Sequence, residues 1–188
     1  MASKGLKELY IAELKDIYNA ENQLLKALPK LAEASSSEAL TEGFEEHLEQ
    51  TKEHVQRLEE IFEGLGESPK GKKCAGMAGL VQEGSEAIQE DFEGGIKDAA
   101  LIGAARRVEH YEMAAYSTAL ALAEALDESK HVSLLEATLE EERATDEKLT
   151  ELFGVISQEA QDTQRDDKQP RSEPGKEQSS KRRSTRAA

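Results

Sequence analysis

Residues Ile102–Leu120 read IGAARRVEHYEMAAYSTAL. Positions 102, 105, 109, 112, 116 and 120 recur at spacings of three and four, the stripe that one face of an α-helix presents. Four of them are Ile102, Ala105, Tyr116 and Leu120; the two in the middle are Glu109 and Glu112. A carboxylate on an apolar helix face pays for its desolvation unless a partner compensates it. The fold therefore turns on whether other helices do the same at the same level.

They do. A first helix, about residues 3–34, carries the ridge Tyr10, Leu14, Ile17, Leu24, Leu28 and Leu31, and Glu21 sits inside that ridge; Pro29 is expected to bend its end. A second, about residues 38–64, buries Phe44, Leu48, Val55, Leu58 and Phe62, with His47, Thr51 and His54 on the same side. Ser37 reads as its N-cap and Gly64 and Gly66 as its end. The Ile102–Leu120 helix extends over about 95–126, and a last one, about 128–156, sets Glu142 and Asp146 among Leu135, Leu139, Leu149 and Phe153. The links from the first helix to the second and from the third to the fourth are short, so each pair forms an antiparallel hairpin. The segment between the hairpins, about residues 65–94, holds a loop and a short helix, GMAGLVQEGSEAIQEDF. The expected fold is all-α: a ferritin-like four-helix bundle with one long crossover containing a short helix.

Composition agrees. The 188 residues are 34% charged and 4% aromatic with no Trp, which disfavours sheets. The net charge of −15 argues against general binding to a nucleic-acid backbone. Cys74 is the single cysteine, which excludes an internal disulfide framework or a cysteine-rich zinc site; it reads as a lone buried thiol. There is no apolar run of membrane-span length and no apolar leader at the start. A soluble, reduced, cytoplasmic protein is the expectation, with no membrane partner. Residues 154–188 hold 8 of the 24 basic and 6 of the 39 acidic residues, leaving 16 basic and 33 acidic in residues 1–153. From about Gln158 onward almost nothing is apolar, so a bundle of residues 1–158 and a disordered polar tail of residues 159–188 are expected. The basic end, KRRSTR, is expected to be a solubilising segment, with a weak nucleic-acid contact as the lesser alternative.

Carboxylates converging in one layer repel each other unless cations bind between them. Carboxylate with imidazole suits iron, manganese or zinc, whereas magnesium and calcium prefer oxygen alone. The candidate ligands are Glu21, His47, Glu109, Glu112, Glu142 and Asp146, with Gln50 and His54 as further candidates. Glu21 and Glu109 would cap individual metals, Glu112 and Glu142 would bridge, and His47 and His54 would give nitrogen. The Glu-x-x-His pairs of di-iron bundles are missing: the last helix reads EEERATDEK and the second EEHLEQTKEH. His110 lies off the ridge, His131 reads as surface, and Tyr18, Tyr111 and Tyr116 read as packing.

The segments YNAENQLLKALPKLAEA, FEEHLEQTKEHVQRLEEIF, CAGMAGLVQEG, DAALIGAARRVEHYEMAAY and LLEATLEEERATDEKLTELF resemble, in order, the YciE/YciF ferritin-like family of bacterial stress proteins. The resemblance covers about residues 4–153, and VEHYEMAAYSTAL and TLEEERATD are its most specific runs. It implies a homodimeric bundle, a di-metal site of iron or manganese with two ions per chain, and a stress association, but no settled reaction. It carries ligand roles onto Glu21, His47, Glu109, Glu112, Glu142 and Asp146, and has Gln50 where many relatives have Glu. Two functions are expected to compete: an oxidase or peroxide-handling centre, and a noncatalytic structural stress protein acting as a helical dimer.

Overall fold

Two short links decide how the long helices pair. The computed structural model describes residues 5–168, and its helices are α1 Leu6–Ala34, α2 Glu38–Leu65, α3 Ala75–Gln89, α4 Gly94–Ala125 and α5 Ser129–Lys168. No strand occurs among the described residues. α1 packs on α2 and α4 on α5, and the crossover helix α3 lies against α1 and α4. This is the expected pair of hairpins joined by one long crossover. α1 continues through Pro29 to Ala34.

The ends of the helices explain the links. Ser37 occupies the N-cap of α2, but its side chain makes no capping bond. Instead the backbone N–H groups of Ser36 and Ser37 donate to the two carboxylate oxygens of Asp98, at 2.8 and 2.9 Å. Asp98 is buried on α4, so a negative charge at the start of α2 also ties the first hairpin to the second. α2 ends at Gly66, whose φ of 65° is left-handed and suits a residue without Cβ. α3 begins at Cys74, a buried thiol whose Sγ accepts from the Met77 N–H at 3.4 Å.

The apolar core comes in two halves. One gathers Leu24, Leu28, Leu40, Phe44, Leu101 and Ile102. The other gathers Leu14, Ile17, Leu58, Phe62, Tyr116 and Leu139. Between them each long helix passes through one polar level: residue 21 on α1, 47–54 on α2, 109–112 on α4 and 142 on α5. The stripe of α3 is spent inside the chain, because Met77, Leu80, Val81 and Ile88 pack on the first half.

α5 corrects the expected boundary. It runs to Lys168, past the expected helix end at 156 and the expected bundle end at 158. A Cβ on Gly95 would lie 3.2 Å from Ala160 Cβ and 3.4 Å from Ile156 O. The missing side chain lets this part of α5 lie close against the start of α4, contact that a polarity count along the sequence does not register. Of the tail read as disordered, residues 159–168 are thus helical, and residues 169–188, with the basic cluster, lie outside the described residues.

Candidate metal centre

Six side chains converge in the polar level: Glu21 from α1, His47 and His54 from α2, Glu109 and Glu112 from α4, and Glu142 from α5. All six are at most 3% exposed. His47, Glu109, Glu112 and Glu142 each bring a ligating atom within 4.8 Å of the others, and so do Glu21, His54 and Glu142. Glu142 belongs to both groups. His47 Nε2 is 3.6 Å from Glu109 Oε1. His54 Nδ1 is 3.1 Å from Glu142 Oε1 and 3.5 Å from Glu21 Oε1.

The helical period explains the convergence. His47 and His54 are seven residues apart, two turns, so they share a face. Glu109 and Glu112 are one turn apart on the Ile102–Leu120 stripe. Apolar turns above and below hold each helix in place, with Ile17 and Leu24 on either side of Glu21, and Leu139 and Leu149 on either side of Glu142.

The electrostatics are those of a crowded, dry acidic cluster. Burial, then repulsion from Glu142, pushes the Glu109 and Glu112 carboxyls well above the usual range. Burial raises Glu21 against the pull of His54. Burial alone would lower His54, but Glu142 and Glu21 outweigh it and hold the imidazolium up to about 10. Glu142 is the exception among the acids: burial opposes its charge, yet contact with His54, then His47, keeps it below the ordinary value. His54 Nδ1 and Glu142 Oε1, 3.1 Å apart, thus favour each other's charged forms without an aligned hydrogen bond, while burial drives the other acids toward the neutral form.

Around the six stands a supporting ring. His54 Nε2 donates to Glu141 Oε2 at 2.9 Å, and Arg57 holds the same carboxylate. Arg57, reinforced by His54 and opposed by burial, draws the Glu141 carboxyl below its usual range. A carboxylate on the far nitrogen fixes the ring and leaves Nδ1 facing the centre. The Tyr116 hydroxyl donates to Glu21 Oε1, so Tyr116 is more than packing. Glu141 and Arg57 escape ridge analysis because each is about 100° around its helix from an inward residue; the one sequence signal is that each stands within three residues of a candidate ligand.

Several expected residues fall elsewhere. Asp146 is not in the cluster: its carboxylate takes Arg106 at 2.8 Å and lies 3.4 Å from His110 on the α4–α5 surface. It is one turn beyond Glu142, where the four-residue step has rotated it about 40° outward toward a cation. Gln50 also stays outside, with Oε1 3.5 Å from Thr145 Oγ1. His54, a further candidate from sequence, is central. His131, read as surface, is buried, with its ring stacked on Tyr10 at 6.1 Å; the first turn of α5 faces α1, not solvent. His110 is on the rim, as expected.

The donor set fits two metal ions. Eight buried atoms in the cluster have no aligned hydrogen-bond partner: Glu21 Oε2, His47 Nε2, His54 Nδ1, Glu109 Oε2 and both oxygens of Glu112 and Glu142. Buried polar atoms are ordinarily satisfied, so a concentration of orphans in one layer points to cations. Four carboxylates balance two divalent ions, and mixed oxygen and nitrogen donors suit iron, manganese or zinc. The accompanying cavity is minute, about 10 Å³, bordered by Phe44, His47, Glu109, Thr145 and Leu149. That is room for roughly one water-sized molecule.

Comparison with known proteins agrees with this architecture. Residues 5–162 match a family described as Domain of unknown function (DUF892). Protein YciF of Escherichia coli (strain K12) is 45% identical over 153 residues, which cover 81% of this chain and 92% of that one. The crystal structure of the E. coli stress protein YciF matches with a TM-score of 0.81 at 43% identity, over 83% of this chain and 99% of that one. YcfI from Rhodopseudomonas palustris matches with a TM-score of 0.76 at 39% identity, over 78% and 94%. A Xanthomonas campestris protein at 18% identity and TM-score 0.69 shares the fold. The bundle is ferritin-like, and the resemblance seen in the sequence holds.

Proposed function

The chain belongs to the DUF892 family, and we propose that it is a stress-associated ferritin-like protein that binds two ions of iron or manganese in the polar layer. The observation that carries this is the set of eight orphaned buried atoms on Glu21, His47, His54, Glu109, Glu112 and Glu142. Glu142 is common to both groups and would help to hold both ions. His47, Glu109 and Glu112 would complete the holding of one, and Glu21 and His54 that of the other. Such ions supply one-electron redox chemistry between the +2 and +3 states. The protein keeps the site dry, orients His54 through Glu141, and holds a proton on Tyr116 Oη beside Glu21. A cavity of about 10 Å³ beside His47 and Glu109 has the size that an oxygen or peroxide molecule would need on that side of the cluster. The stress association follows its E. coli relative YciF, a stress protein.

Metal analysis of protein purified without chelator tests the reading. About two equivalents of iron or manganese per chain is expected, and less than about 0.2 after supplementation would refute it in favour of a noncatalytic structural bundle.

We also propose a homodimer. The crossover stripe is half-buried against the first core half, whereas Phe92, Ile96, Phe153 and Val155, around the start of α4 and the later half of α5, remain 39–56% exposed. A light-scattering mass near twice 20.7 kDa is expected. A monomer mass at micromolar concentration would exclude the dimer.

A further inference from the structure

A second cavity, of about 290 Å³, lies between α1, α3 and α4, and none of the six centre residues lines it. Its walls are mainly apolar, with Leu24, Leu31, Val81, Ile88, Ala105 and Val108 among them. Three charged residues line it, and all are lysines: Lys26, Lys30 and Lys73. In a body with 33 acidic and 16 basic residues, an all-basic lining runs against the composition. The acidic neighbour of Lys30, Glu33, borders an adjoining shallow groove and not this cavity. The lysine ion pairs among the described residues are those of Lys15, Lys52, Lys130 and Lys148, so these three ammonium groups have no carboxylate partner there.

Gly84 supplies a further observation. It is buried inside α3, with ordinary helical backbone, where glycine weakens a helix. Yet a Cβ there would meet nothing closer than Leu31 Cδ2 at 4.0 Å. Packing within the chain does not demand the glycine, and its effect is to leave the pocket open.

We propose that this pocket binds one medium-chain fatty-acid carboxylate, with its hydrocarbon chain along the apolar walls and its carboxylate at Lys26, Lys30 and Lys73. Burial of the chain supplies affinity and the lysines select an anionic head, the combination of apolar wall and few polar groups that defines ligand sites. The volume lies near the lower end of the roughly 300–1,000 Å³ range of such sites, which suits a single short acyl chain and not a two-chain phospholipid. The site is independent of the metal reading.

Titration calorimetry of the full chain with decanoate, below its micelle concentration, tests this. Saturable binding of one decanoate per chain is expected, with decanol at least tenfold weaker. Gly84→Leu, which fills the pocket, should abolish binding while circular dichroism stays unchanged. Should that variant misfold, a triple Lys26→Gln, Lys30→Gln, Lys73→Gln variant on the surface should weaken decanoate at least tenfold and leave decanol unaffected. Absence of decanoate binding, equal affinity for decanol, or full affinity in the triple variant each overturns the proposal. So does binding to phosphatidylglycerol vesicles without decanoate binding. A change in light-scattering mass with Gly84→Leu would show that a second copy fills the groove, and would overturn it too.

Discussion

Glu112→Gln should change stability in opposite directions with and without metal. Glu112 is 1% exposed and neither of its oxygens has a hydrogen-bond partner. Burial, then Glu142, Glu21 and Glu109, raise its carboxyl well above the ordinary 4.5. In the metal-free protein the folded state therefore holds a proton that the unfolded state has released at neutral pH. Stability falls as pH rises wherever the unfolded state binds fewer protons. The window opens at 4.5, so the ceiling at pH 7 is on the order of 3 kcal/mol. Glutamine has the same shape, does not titrate, and escapes this cost. In chelator the variant should thus be more stable by about 1–3 kcal/mol at pH 7, and by less than about 1 kcal/mol at pH 5. With metal the sign reverses, because a ligand is lost and each tenfold drop in affinity removes about 1.4 kcal/mol of binding stabilisation.

Urea unfolding of both proteins at pH 5 and 7, with metal and with chelator, measures all four differences. A surface glutamate gives changes within about 0.5 kcal/mol everywhere. Equal small shifts in the two conditions, or an apo gain that does not grow between pH 5 and pH 7, would refute the reasoning for this residue.

Glu141→Ala removes the acceptor that orients His54, and metal affinity measured by competition with a chelating dye should fall roughly 10–100-fold, with the helical content kept. Asp146→Asn should leave metal content unchanged, since Asp146 pairs with Arg106. Its folded carboxyl sits below the ordinary 3.8, chiefly through Arg106, so the pair's stabilisation is present above 3.8 and is lost as pH falls through the folded value. As a surface pair it should cost under about 1 kcal/mol at pH 7 and nothing in strong acid, read by urea unfolding. Truncation after Gln158 removes the contact of Ala160 with Gly95 and should lower Tm by about 2–4 °C for each kcal/mol lost, whereas truncation after Lys168 keeps that contact and the Tm.

The donors are legible in the sequence as interruptions of apolar stripes rather than as a motif. Where a di-iron bundle carries two Glu-x-x-His pairs, α2 has Thr51-x-x-His54 and α5 has Glu142-x-x-Thr145. Each pair has threonine at one of its two positions. Other turns bring imidazole and carboxylate to the same level. His47, one turn before Thr51 on α2, brings the second imidazole, and its Nδ1 lies 3.5 Å from Thr145 Oγ1, the residue standing where the motif would place histidine. Glu109 and Glu112 both come from α4, making up the carboxylate absent at position 51. Four carboxylates and two imidazoles remain, redistributed among the helices. Stripe periodicity survives such a redistribution, since it asks only that a residue face inward. It fails where facing depends on another helix. Asp146 satisfies the four-residue step but meets Arg106 of α4 first, and His131 lies at a helix start that Tyr10 of α1 happens to cover. Glu141 is lost for the opposite reason: it does not face inward at all, and it matters only because His54 of α2 reaches out to it. What a single stripe cannot encode is the identity of the side chain across the gap, and each of these three assignments turned on that.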